Sequence, residues 1–193
     1  MKKNKSLLYG LGRVVCLLAL TAVSPVVSAW ELSGTKTISA VTREQTLVPL
    51  GQVTFTPGTN GSVAVSVQMD HSRFNDHFLS MKEFKCLEGG NEVLCHVPYP
   101  YKNPATVSST DFAWLEHQLL FLHKQPRDFG AKLWNGLYFR LARDESGLVG
   151  LPQAVDLNLI SAPPDNLNTP PYDAGQRDDV PPGAHWIERL VIR

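Results

Sequence analysis

Between Phe84 and Val97 the chain reads Phe-Lys-Cys-Leu-Glu-Gly-Gly-Asn-Glu-Val-Leu-Cys-His-Val, with two cysteines set symmetrically about Gly89-Gly90-Asn91. Glycine and asparagine accept the positive φ that a two-residue hairpin loop demands. With Gly90-Asn91 as that loop, residue 89 faces 92, 88 faces 93, 87 faces 94 and 86 faces 95. Counting from the hydrogen-bonded pair at the turn, Cys86 and Cys95 fall on a non-hydrogen-bonded pair, whose Cα atoms lie about 4.5 Å apart. That separation is within reach of a disulfide, so the spacing predicts a Cys86–Cys95 bond that fixes the register of a hairpin. Eight intervening residues are not a Cys-x-x-Cys redox motif, and the pair reads as structural. In the same register His96 faces Lys85, as an ordinary cross-strand residue.

The pairing also requires an oxidising compartment, and the N-terminus supplies the address. Met1-Lys2-Lys3-Asn4-Lys5, an apolar run from Val14 to Val23 and Val27-Ser28-Ala29 before Trp30 form the basic, apolar and small-residue order of a secretory leader. The apolar stretch, broken by Ser24-Pro25, is shorter than the about 20 residues a membrane span needs. Cleavage is expected after Ala29, giving a periplasmic or secreted protein with no stable membrane anchor. Of three cysteines Cys16 leaves with the leader, so the remaining two pair. Lys2, Lys3, Lys5 and Arg13 also leave, taking 18 basic residues to 14 against 18 acidic ones, a formal charge of −4. A mildly acidic surface argues against nucleic acid as a partner.

Residues 30–193 have the length of one domain. Their dominant period is two. Val63, Val65, Val67 and Met69 alternate with Ala64, Ser66 and Gln68; Leu137, Phe139 and Leu141 alternate with Tyr138, Arg140 and Ala142; Val155, Leu157 and Leu159 alternate with Asp156 and Asn158. Strands are likewise expected over 32–41, 52–56, 62–70 and 186–192, with turns at Pro57 to Gly61 and Asp144 to Gly147. About eight or nine strands at meander-like spacing predict a mainly β domain, an antiparallel β-barrel or β-sandwich with at most one or two short helices. Asp111 to Lys124 fits a helix capped by Asp111 or a strand covered on both faces; its interspersed polar residues favour the strand. Trp30-Glu31-Leu32-Ser33-Gly34 at the head of a barrel-sized exported chain resembles the entrance of lipocalin-like barrels, with a residue order different from their Gly-x-Trp. The likeness implies a possible lipocalin-like meander and no ligand.

Two stretches depart from the strand pattern. Ser161 to Ala184 carries three Pro-Pro pairs and reads as a loop tethered at both ends, either a solvated Ω-loop or a lid or partner-binding segment. Asp70 to His77 concentrates two Asp, two His and one Arg, and His71, Asp76 and His77 are candidate ligands for zinc, copper or manganese. The cationic, aromatic stretch Lys124 to Asn135 reads as a connection whose aromatics anchor it. No Gly-x-Ser-x-Gly, His-Glu-x-x-His or phosphate loop occurs in the sequence, and no enzyme or cofactor is expected.

Two functions follow as expectations. A small, largely apolar molecule would bind in the barrel interior, with Tyr99, Tyr101, Trp114, Phe121 and Trp134 as lining residues. Alternatively, the Pro-rich loop and an edge strand would engage another envelope protein. A cavity lined by aromatics favours the first and a filled core favours the second.

Overall fold

The computed structural model describes residues 30–193; the expected leader and Cys16 lie outside the described residues. The chain folds mainly into antiparallel β-structure. Nine strands of four or more residues are β1 (Gly34–Thr42), β2 (Leu47–Pro57), β3 (Val63–Met69), β5 (Lys85–Glu88), β6 (Val93–His96), β8 (Phe121–Lys124), β9 (Gly136–Asp144), β10 (Gly147–Val155) and β12 (Ile187–Ile192). Three two-residue strands are β4 (Asn75–Asp76), β7 (Thr106–Val107) and β11 (Asp178–Asp179), and one helix, α1, spans Ala113–Gln118. The strands join in the order β4-β5-β6-β8-β9-β10-β12-β1-β2-β3-β7, with β11 added to β10, and the ladder does not close.

The cysteine hairpin has the register its sequence predicts. Lys85 faces His96, Cys86 faces Cys95, Leu87 faces Leu94 and Glu88 faces Val93; Gly89 N–H donates to the Glu92 carbonyl across the turn. The disulfide joins Cys86 and Cys95 with Cα atoms 3.8 Å apart, inside the spacing that pairing alone implies. Gly89 is required by its neighbour: a Cβ there would run into the Trp186 ring, so the hairpin tip seats on the start of β12.

Period-two burial divides the side chains between two cores. Inward residues of β1, β2, β3 and β12 (Ile38, Val53, Val65, Leu190) share one cluster with Leu87, Leu94, Phe121 and Phe139 from the other limb, so the sheet curls about a common interior. The opposite face of β5, β6, β8 and β9 is also covered. There the disulfide, Leu122 and Tyr138 pack with Phe78, Leu157, Ile160 and Tyr172. Two prolines sit where the ladder spares their missing N–H. Pro49, in the central strand β2, falls at a register slip against β1. Pro152 falls between the β10 residues that pair β12 and those that pair β11.

Two sequence expectations are corrected. The segment 111–124 is neither a single strand nor a single helix: α1 is followed by a turn and β8. Two of its interspersed polar residues, Glu116 and His117, are buried because distant groups satisfy them. Glu116 accepts from Tyr138 Oη and, at 2.6 Å, from Leu141 N–H. Burial pushes the Glu116 carboxyl above its usual range, against these two bonds. The alternation over 155–159 does not continue as strand, since Asp156 accepts from Asn158 N–H and starts a 3-10 turn over Leu157–Ile160.

The Pro-rich stretch is strapped down at its middle. Tyr172 is buried, stacks on His117 with ring centroids 5.5 Å apart, and donates its backbone N–H to His117 Nε2 at 3.2 Å and its hydroxyl to the Asp156 carbonyl at 2.8 Å. Arg177 lies over the Tyr138 ring, and Asp178–Asp179 pair with β10 although the prolines favour no regular strand.

Candidate functional site

The sheet is open along β3, and the reason is local. Gly58 N–H donates to Ser62 O and Asp70 N–H to Leu50 O, so even-numbered residues of this hairpin direct their backbone groups at β2. Odd-numbered residues face the other way. Val65 N–H donates to Ala105 O at 2.8 Å, and β7 pairs with Val63 and Ala64. Beyond Val65 the covering strand stops. Asn103 Oδ1 accepts the Ala105 N–H at 2.9 Å and Asn103 Nδ2 donates to Tyr101 O, while Ala105 takes φ 49°, a left-handed conformation costing a side-chain-bearing residue about 1 to 2 kcal/mol. Pro104 has no N–H to offer. The chain therefore turns off the edge, and the amides and carbonyls of Val67 and Met69 are directed away from β2, along a seam where no strand among the described residues pairs them.

The far wall of the seam is formed by His96, Tyr99 and Gln118, and the cleft between the walls has a volume of about 430 Å³. His96 is 6% exposed. Its Nε2 donates to the Gln118 carbonyl at 3.0 Å, which leaves Nδ1 as an acceptor, and this atom is buried without a partner among the described residues. Tyr99 Oη is buried and unpartnered as well. Native proteins leave few buried polar atoms unsatisfied, and two of those in this chain belong to residues that line this cleft. Burial, against the bond to Gln118 and with the help of His71 nearby, pushes the His96 imidazole down to about 4.

The residues expected from sequence to line an interior cavity divide. Tyr99, Tyr101 and Trp114 do come together, with Tyr99 centred 5.8 Å from Tyr101 and 5.9 Å from Trp114. Phe121 is fully buried in the main core, edge-on to Phe139. Trp134 is on the surface, 63% exposed. The expected metal ligands His71, Asp76 and His77 are not brought together. His71 packs on Phe74, Asp76 binds Lys85, and His77 Nε2 lies 3.1 Å from Glu88 Oε1. Close spacing in a loop beside a strand gives Asp76 and His77 partners on β5 and His71 a neighbour in its own turn, rather than a common centre.

A different Glu/His group converges where β6, β8 and β12 come near one another. Glu92 follows the hairpin turn and shares a face with Leu94, and Leu94 faces His123 on β8. His185 arrives from the end of the Pro-rich strap. Glu92 Oε1 lies 2.7 Å from His185 Nδ1 and 3.6 Å from His123 Nδ1, and Oε2 accepts the Trp186 N–H at 2.7 Å. Burial works to raise the Glu92 carboxyl, but the bonds from His185 and Trp186 outweigh it and hold the group below its usual value. His123 is shifted down by burial and by His185, with Glu92 and Asp128 opposing. Sequence reading misses this group because the β6–β8 pairing skips β7 and α1, and His185 lies far along the chain. The usable signal is period two from the predicted hairpin, which already puts Glu92 on the Leu94 face.

These features define an antiparallel β domain whose β3 edge is, beyond Val65, not paired by any strand among the described residues. No protein-family model, curated protein or solved structure matches this chain.

Proposed function

We propose that this chain is an exported, non-enzymatic interaction domain that takes an extended segment of another envelope polypeptide as an added strand along β3. The observation that carries this reading is the seam itself: main-chain donors and acceptors of Val67 and Met69 at an edge that no strand among the described residues pairs, beside a cleft lined also by His96 and Tyr99. Main-chain bonds supply affinity in strand addition, and pockets for alternate side chains supply selectivity. The Tyr99, Tyr101 and Trp114 cluster beside the seam would grip apolar side chains of the guest. Packing favours this reading over an apolar ligand in the interior, because Phe55, Phe121 and Phe139 are buried against one another's neighbours in a shared core.

A photo-reactive residue in place of the exposed Lys102, in protein expressed with its leader in native cells, tests it. It is expected to give a discrete adduct that Val67→Pro suppresses, while the same probe at Glu145 gives none. Proline at 67 removes an outward N–H and no bond to β2, as edge strands allow. An adduct indifferent to Val67→Pro, or equal labelling from both positions, overturns the proposal.

A further inference from the structure

We infer that Glu92, His123 and His185 form a binding site for a divalent transition-metal ion of the zinc class. One ligand atom from each lies within 4.8 Å of the other two. Tetrahedral coordination at about 2.0 to 2.2 Å per bond requires donors somewhat over 3 Å apart, so modest side-chain rotation suffices. The donor chemistry selects the ion: two imidazoles with one carboxylate suit zinc, copper or nickel, whereas magnesium and calcium take oxygen shells.

Hydrogen bonding alone does not account for the arrangement. His185 is within bonding distance of Glu92 Oε1, but His123 stands 3.6 Å off the same oxygen. Its ring makes no hydrogen bond among the described residues, although its centroid is only 4.4 Å from that of His185. An ion between the three groups would use the His123 lone pair and replace the proton now shared by His185 and Glu92. Outer support is already in place. The Trp186 N–H fixes Glu92 Oε2 and leaves Oε1 as the ligand, the kind of second contact that orients metal-binding carboxylates. The Gly89 turn seated on Trp186 holds the hairpin and the start of β12 in fixed relation. A cleft of about 400 Å³, bounded also by Asp128 and Asn135, opens onto the group and leaves room for water as a fourth ligand. The ion would thus fasten the paired hairpin and β8 to the end of the Pro-rich strap, which enters β12, a strand that β9 and β10 separate from β8 in the sheet order.

The test is calorimetric titration of tag-free, chelator-stripped protein with zinc alone, compared with His123→Gln, His185→Gln and, as a control outside the cluster, His77→Gln. Expected are one zinc per chain in the wild type and in His77→Gln, and affinity at least about tenfold weaker in each cluster variant. Zinc should also shift the ring resonances of His123 and His185 selectively among the six histidines, a readout that needs no variant to fold. No stoichiometric binding, equal binding by all four proteins, or shifts centred on other histidines would overturn the site.

Discussion

His96 and His117 are both buried and both pushed down to about 4, chiefly by desolvation, yet they do opposite things. His117 is used up. Its Nδ1 donates to the Ala113 carbonyl at 2.6 Å and its Nε2 accepts the Tyr172 N–H, so the ring rivets α1 to the Pro-rich strap. His96 spends only Nε2, on Gln118, and leaves Nδ1 buried with no partner among the described residues. The lesson is that burial and a displaced pKa do not separate a fastening from a site. The unspent hydrogen-bonding capacity does.

The largest expected effect is on acid stability, and it should treat the two rings alike. In the unfolded chain each imidazole titrates near 6.5, whereas the folded protein holds each neutral down to about 4. Between those values the unfolded state binds more protons, so stability is complete above about pH 6.5 and falls as pH drops towards 4. Each ring contributes about 1.4 kcal/mol per unit across that window, or about 3 kcal/mol. His71 beside His96, and Arg177 beside His117, disfavour the protonated forms further. Glu116, displaced upward, works in the opposite direction, so the contribution of each histidine is read as the difference between wild-type and variant urea midpoints over pH 4 to 7.

Substitution at neutral pH should then separate them. His117→Phe leaves the buried Tyr172 N–H without a partner and takes the second, side-chain donor from the Ala113 carbonyl, and is expected to cost about 1 to 3 kcal/mol. His96→Phe loses one bond to Gln118 but also removes a buried acceptor that has none, and is expected to stay within about 1 kcal/mol of wild type. Urea unfolding of both variants checks this. Equal losses would mean that His96 is a rivet as well, and the contrast would fail.

Much of the fold can be read from local pattern because the forces involved are local. The Gly89-Gly90-Asn91 turn sets the Cys86–Cys95 register, and alternation marks a strand with one core face at 63–69 and a strand at 137–142 whose other face is covered at Tyr138. Where partners are remote the pattern misleads. Glu116 and His117 look out of place on a helix until Tyr138 and Tyr172 answer them, and the Asp156 cap turns an apparent strand at 157–159 into a 3-10 turn. The same limit applies to the candidate sites. His71, Asp76 and His77 are dense in sequence and separate in space, while Glu92, His123 and His185 are dispersed in sequence and convergent in space. The seam is legible only in part: alternation identifies β3, but nothing local announces that Asn103 and Ala105 turn the covering chain away at Val65.

The open edge of β3 is the claim on which the proposed function rests, and residue-resolved amide hydrogen exchange of the free protein addresses it without any partner. The Val65 amide, bonded to Ala105 O, should exchange slowly, whereas the Val67 and Met69 amides should exchange at least about a hundredfold faster, as unpaired groups at an edge do. Protection of Val67 and Met69 equal to that of Val65 would mean that the edge is already covered, and strand addition at β3 would be excluded.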